Sequence, residues 1–141
     1  MSNKGKILVV DDEASIRDLF EDVFIEAGYQ LHLAEGGNEA LAVLKIHDIN
    51  VIFLDLKLFG MNGIELCRQI RKTKPLSMIY AITGWSSLFE IDECREAGFD
   101  DFFEKPLNMD MILTVVEQAF DRLERWKNRY QHLPQNGRKT N

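Results

Sequence analysis

Short apolar runs that stop at polar residues recur along the chain, each followed by a stretch with helical spacing. The first is Lys6-Ile-Leu-Val-Val10, which stops at Asp11-Asp12. A continuous apolar run of this length reads as a buried strand. From Ala14 to Ala27, the residues Ile16, Leu19, Phe20, Val23, Phe24 and Ala27 recur at three- and four-residue steps. That spacing predicts a helix with one buried stripe, ended by Gly28. Tyr29 to Ala34 alternates as a second strand, and Gly36-Gly37 turns into a helix carrying Ala40, Leu41, Val43 and Leu44. Asn50 to Asp55 is a third strand, apolar until its final carboxylate. Asn62 and Glu65 have capping-box spacing at the head of the next helix, with Ile64, Cys67, Ile70 and Arg71 along it. Ser77 to Ile82 is a fourth strand that stops at Thr83-Gly84. Ser87 and Glu90 form a second capping box, for a helix running to Ala97 and ended by Gly98. Asp101 to Phe103 is a short fifth strand before Glu104-Lys105-Pro106. Asn108 then caps a last helix with Ile112, Leu113, Val116, Phe120 and Leu123 on one side.

Strands that alternate with helices imply a parallel sheet covered on both faces. The expected fold is α/β: a doubly wound, five-stranded parallel sheet in the order 2-1-3-4-5. No internal linker, repeat or low-complexity segment interrupts it. The 141 residues suit one domain, and a 45% apolar, 28% charged composition suits a globular chain rather than a disordered one. A net charge of −6 disfavours bulk nucleic-acid binding. No apolar run approaches the ~20 residues needed to span a bilayer, and Met1 to Lys6 carries no secretory h-region. Cys67 and Cys94 lack zinc-site spacing and a disulfide framework, so reduced thiols in a cytoplasmic protein are expected.

The chemistry is concentrated where the strands stop. In a parallel sheet Asp11-Asp12, Asp55, Thr83 and Lys105 all fall on one edge, and ligands of open α/β sheets bind outside that edge where strand order reverses. The reversal lies between strands one and three, so Asp11, Asp12 and Asp55 would face one another. Three carboxylates this close call for a cation. Mg²⁺ suits hard oxygen ligands and phosphate chemistry. A carboxylate there can act as a nucleophile toward phosphorus. The Lys105 ammonium and Thr83 hydroxyl suit two phosphate oxygens.

These residues closely resemble the response-regulator receiver domain (the CheY-like, flavodoxin-like architecture). The matching positions are Asp11-Asp12-Glu13, Asp55, Thr83-Gly84 and Lys105-Pro106, with Gly63 and Ala97-Gly98, over about residues 5 to 125. The resemblance implies that Asp55 accepts a phosphoryl group from a histidine kinase or phosphotransfer protein in a bacterial two-component system. It implies that Asp11, Asp12, Asp55 and the backbone carbonyl of Lys57 hold Mg²⁺. Thr83 would move toward the phosphoryl group, Lys105 would pair with it, and Phe102 would turn inward as the switch aromatic. The Lys105–Pro106 bond would be cis. The protein would be a stand-alone regulator that docks on a downstream protein partner, with no direct nucleic-acid or membrane contact. It would catalyse only its own phosphorylation and dephosphorylation.

The chain departs from the family pattern at four residues. Phe59 stands where proline is common, and Phe102 lacks the hydroxyl of the commoner tyrosine. Lys57 and Trp85 bring bulk or charge near the pocket mouth. Lys57 also occupies the place where an Asp-nucleophile phosphatase would carry its general acid. A flavin module on this fold would need a Ser/Thr/Gly-rich loop in place of Asp11-Asp12-Glu13. His32, His47 and His132 show no ligand spacing, and Phe20, Phe24, Phe53, Phe99 and Phe103 read as core. Residues 126–141 form a helical extension and a polar tail. There Trp126 and Tyr130 either fold back on the body or present an aromatic surface, for a homodimer through the last helix or for another partner.

Overall fold

The computed structural model describes residues 3–84 and 88–132. The Ser87 cap, Trp85 and the tail beyond His132 lie outside the described residues. Five strands form one sheet: β1 (Lys6–Val10), β2 (Gln30–Ala34), β3 (Val51–Asp55), β4 (Met78–Thr83) and β5 (Asp101–Glu104). The helices are α1 (Ala14–Glu26), α2 (Gly37–Ile46), α3 (Gly63–Thr73), α4 (Leu88–Ala97) and α5 (Met109–Gln131). Every pairing is parallel and the order is β2-β1-β3-β4-β5, as the alternating pattern predicts.

Successive strand residues point to opposite faces, so the all-apolar strands feed two cores at once. Leu8, Val10, Ile52, Leu54, Ile79 and Ala81 pack with Ala40, Ile64, Leu66, Cys67, Ile70, Cys94 and Ala97 from α2, α3 and α4. Ile7, Val9, Val51, Phe53, Tyr80 and Ile82 pack with Phe20 and Phe24 of α1 and Ile112, Val116 and Ala119 of α5. The second core is aromatic: Phe53 lies 5.1 Å from Tyr80 and 5.2 Å from Phe20, centroid to centroid. All five phenylalanines read as core are buried.

Caps and stops act largely where the residue types predict. Asn62 Oδ1 accepts from the Ile64 N–H at 2.7 Å and Asn108 Oδ1 from the Met111 N–H at 3.2 Å. Glu65, expected to close a capping box, instead pairs with Arg68 at 3.6 Å. Gly28 and Gly98 end their helices at φ values of 99° and 105°, a region L side chains resist. β4 runs one residue further than its apolar run, because polar Thr83 still pairs with Glu104. α5 continues to Gln131, well past Leu123, with Trp126 and Tyr130 52% and 50% exposed. Among the described residues no helix is long and apolar enough to cross a membrane.

Candidate phosphoacceptor site

The backbone ladder carries each chemical group to the same edge of the sheet. The Asp11 N–H donates to the Ala34 carbonyl at 3.1 Å, the Leu56 N–H to Ile82 at 3.0 Å, and the Lys105 N–H to Thr83 at 2.8 Å. These bonds extend strand pairing past the ends of β1, β3 and β5, so the site residues inherit the rigidity of the sheet. Arg17 of α1 adds a bond from its guanidinium to the Asp11 carbonyl at 2.8 Å.

Asp11, Asp12 and Asp55 converge, each offering one oxygen within 4.8 Å of the others. Asp11 and Asp55 are buried, whereas Asp12 is exposed. Asp11 Oδ1 accepts from the Glu13 N–H at 2.8 Å, and Asp55 Oδ1 from the Lys57 N–H at 3.0 Å. The Lys105 ammonium lies 3.3 Å from Asp11 Oδ2 and 3.5 Å from Asp55 Oδ2, and it touches Glu13. Asp11 Oδ2 is buried without a hydrogen bond, the lysine approaching it outside bonding geometry. Asp12, Glu13, Asp55, Lys57, Gly84 and Lys105 line a small open cleft of about 270 Å³.

One ammonium does not satisfy this many carboxylates. Burial, opposed by the Glu13 N–H and reinforced by the Asp55 charge, pushes the Asp11 carboxyl up to about 6. Burial raises Asp55 as well, against the Lys57 N–H and Lys105, with Asp12 adding repulsion. For Lys105, burial works against the ammonium, but the hydrogen bond to Glu13 and the charges of Asp11 and Asp55 outweigh it. An orphaned buried oxygen beside two further carboxylates fits a small divalent cation.

Thr83 is buried at the end of β4 and does not line the cleft. Phe102 is half-buried against the α2–α3–α4 core. It lines a groove with Ile91, Cys94, Arg95 and Phe99. The Lys105–Pro106 peptide is cis. Phe59 is 90% exposed in the loop between β3 and α3. Gly63 matters for a reason spacing alone does not disclose: a Cβ there would lie 2.2 Å from the Asp55 carbonyl oxygen.

Three features escaped the sequence reading because they join residues distant in the chain. Glu13 reaches Lys105. Arg71 donates to the carbonyls of Pro75, Ser77 and Gly98 and to the Asp100 carboxylate, tying α3 to β4 and the α4–β5 turn. The rings of His32 and His47 lie 4.1 Å apart.

An open parallel sheet with an acidic trio and a lysine at its carboxyl edge defines a doubly wound α/β module with an acidic pocket. The family model of the response regulator receiver domain matches residues 7–117, and the chain belongs to that family, the receivers of two-component signalling. It is 34% identical over 113 residues to sporulation initiation phosphotransferase F of Bacillus subtilis, covering 80% of this chain and 91% of that protein. It is 39% identical over 121 residues to the transcriptional regulatory protein ResD of the same organism, covering 86% of this chain and 50% of ResD. Against NtrC of Salmonella typhimurium the matching share of the relative is 25%, so the chain spans only part of these longer regulators. A CheY-like receiver domain protein from Methanospirillum hungatei superposes with a TM-score of 0.83 at 30% identity, over 88% of this chain and 98% of that one. Chemotaxis response regulator CheY4 of Vibrio cholerae does so with 0.75 at 28% identity, over 82% and 98%. Receivers generally bind Mg²⁺ at an acidic pocket and exchange signals with kinases or phosphotransfer proteins and with downstream effectors.

Proposed function

We propose that Asp55 is the phosphoacceptor, taking its phosphoryl group from the phosphohistidine of a histidine kinase or phosphotransfer protein. A carboxylate oxygen of Asp55 attacks phosphorus as the phosphorus–nitrogen bond to the donor imidazole breaks, giving an aspartyl phosphate and a free histidine. Asp11, Asp12, Asp55 and the Lys57 carbonyl would hold Mg²⁺. The bound cation supplies charge neutralisation on acceptor and donor. The Lys57 N–H orients the acceptor carboxylate. Lys105 follows the new negative charge, and the Thr83 hydroxyl donates to a second phosphoryl oxygen. Phe102 packs inward behind Thr83, and the surface of α4, β5 and α5 repacks for a downstream protein.

The observation that carries this reading is the buried, hydrogen-bond-free Oδ2 of Asp11 within the convergent trio, with Lys105 beside it. On this reading residues 5–125 are the phosphoacceptor unit and residues 126–141 an appended helical extension and tail. The protein acts on itself rather than turning over a separate substrate, and it engages neither nucleic acid nor membrane directly. A cytoplasmic setting accords with Cys67 and Cys94, free thiols whose burial raises both, Cys67 to about 12. The extension of α5 supports self-association. Beryllofluoride, a phosphoryl mimic, should bind the full chain in the presence of Mg²⁺ and not in chelator, with Asp55→Asn abolishing binding. Equal binding by that variant, in a calorimetric titration, would exclude Asp55 as the acceptor.

A further inference from the structure

Among the described residues Glu13 is the carboxylate that touches Lys105 while standing outside the candidate metal trio. Its backbone is committed to starting α1. Its carbonyl accepts from Ile16 and Arg17 at 3.1 and 3.2 Å, and its N–H donates to Asp11. Its side chain provides no cap for that helix. The half-exposed carboxylate instead crosses from the β1–α1 turn to the β5–α5 turn and takes the ammonium. Lys105 thus meets Glu13 in direct contact and the acceptor oxygen of Asp55 only at 3.5 Å.

A phosphoryl group on Asp55 adds nearly two negative charges that need this same ammonium. Resting on the phosphoacceptor role of Asp55, we infer that Glu13 is a positioning residue that competes with the phosphoryl group for Lys105 and so weakens the cleft's hold on phosphoryl ligands. The metal trio cannot play this part, because its carboxylates would face the cation. Glu13 is the group that keeps the lysine engaged when the trio is neutralised, and the lysine must leave it for the transfer to be completed. Removing the Glu13 charge releases Lys105 to the ligand without disturbing a helix cap.

The test uses the full chain with Mg²⁺, beryllofluoride as the equilibrium probe and acetyl phosphate as the small phosphodonor. Glu13→Gln should lower the half-saturating concentration of both by about three- to tenfold, the range expected for one partly exposed charge pair. In a Lys105→Ala background the same substitution should have almost no effect, because the competition has lost its object. Unchanged or weaker binding by Glu13→Gln, with the unmodified chain binding normally, would overturn the inference. A full-sized gain in the Lys105→Ala background would also overturn it, by showing that Glu13 acts directly on the ligand. No beryllofluoride binding by the unmodified chain would instead bring down the phosphoacceptor reading beneath it.

Discussion

Asp11 illustrates how a single residue can serve a site at the expense of the fold. Its side chain is fully buried, and one oxygen lacks a hydrogen bond. Burial pushes its carboxyl up from the ordinary aspartate value to about 6. A raised acid pKa means the folded chain binds the proton more tightly than the unfolded one. Stability therefore falls as pH rises from about 4 to about 6 and stays lower above that, by about 3 kcal/mol for a shift of this size. Asp11→Asn should raise the unfolding free energy in chelator at pH 7.5 by about 2–3 kcal/mol and flatten its pH dependence between those limits. Mg²⁺ should stabilise the unmodified protein and hardly change the variant. Urea unfolding with and without the cation measures both effects, and a variant less stable than wild type in chelator would contradict them. The acidic trio was legible because each member closes or follows an apolar run. Glu13, its neighbour in sequence, looked like part of the same acidic turn, and its contact with Lys105 depends on a juxtaposition 92 residues apart.

At the scale of elements, the acceptor's position depends on how closely α3 approaches the end of β3. The Gly63 N–H donates to the Leu56 carbonyl at 3.0 Å, and Asn62 caps the helix at the same point. A Cβ on Gly63 would meet the Asp55 carbonyl at 2.2 Å and the Leu56 Cα at 2.8 Å, both backbone atoms that cannot rotate away. Gly63→Ala should therefore cost about 2–3 kcal/mol, toward the upper end for overpacking. Because the displaced atoms belong to Asp55, phosphorylation by acetyl phosphate should slow by about tenfold. Gly60→Ala is the control: φ is +78° but nothing lies within 4 Å of its Cβ, so about 1 kcal/mol of strain is expected with little kinetic effect. Equal kinetic losses in the two variants would refute a steric role for Gly63. The elements themselves were readable because their apolar periods differ, near two or continuous in strands and 3.6 in helices. The limits of β4 were not, since Thr83 is polar yet bonded in register. The clasp made by Arg71 was also hidden: its partners lie on the turns before β4 and β5, and no local pattern marks them.

At the scale of the whole molecule, the projecting end of α5 lies away from the acceptor. Lys6, Asn50 and Leu76, at the amino edge of the sheet, line a cleft of about 420 Å³ with Phe120, Leu123, Trp126 and Tyr130. The acceptor occupies the carboxyl edge. Along α5 the charges segregate, with Asp110, Glu117 and Asp121 in the first part and Arg122, Arg125, Lys127 and Arg129 in the last, where Glu124 is the only acid. Two copies packed antiparallel through this helix would set each basic half against an acidic one while covering the half-exposed aromatics. Sedimentation should then show concentration-dependent dimers that weaken in high salt. Trp126→Ala should raise the dissociation constant at least about tenfold, as loss of a buried aromatic anchor does. Beryllofluoride binding should be unchanged in that variant, because the two sites occupy opposite edges of the sheet. A monomer at every concentration, or a dimer indifferent to both salt and Trp126, would remove α5 as the contact and leave the aromatic stripe to a different protein.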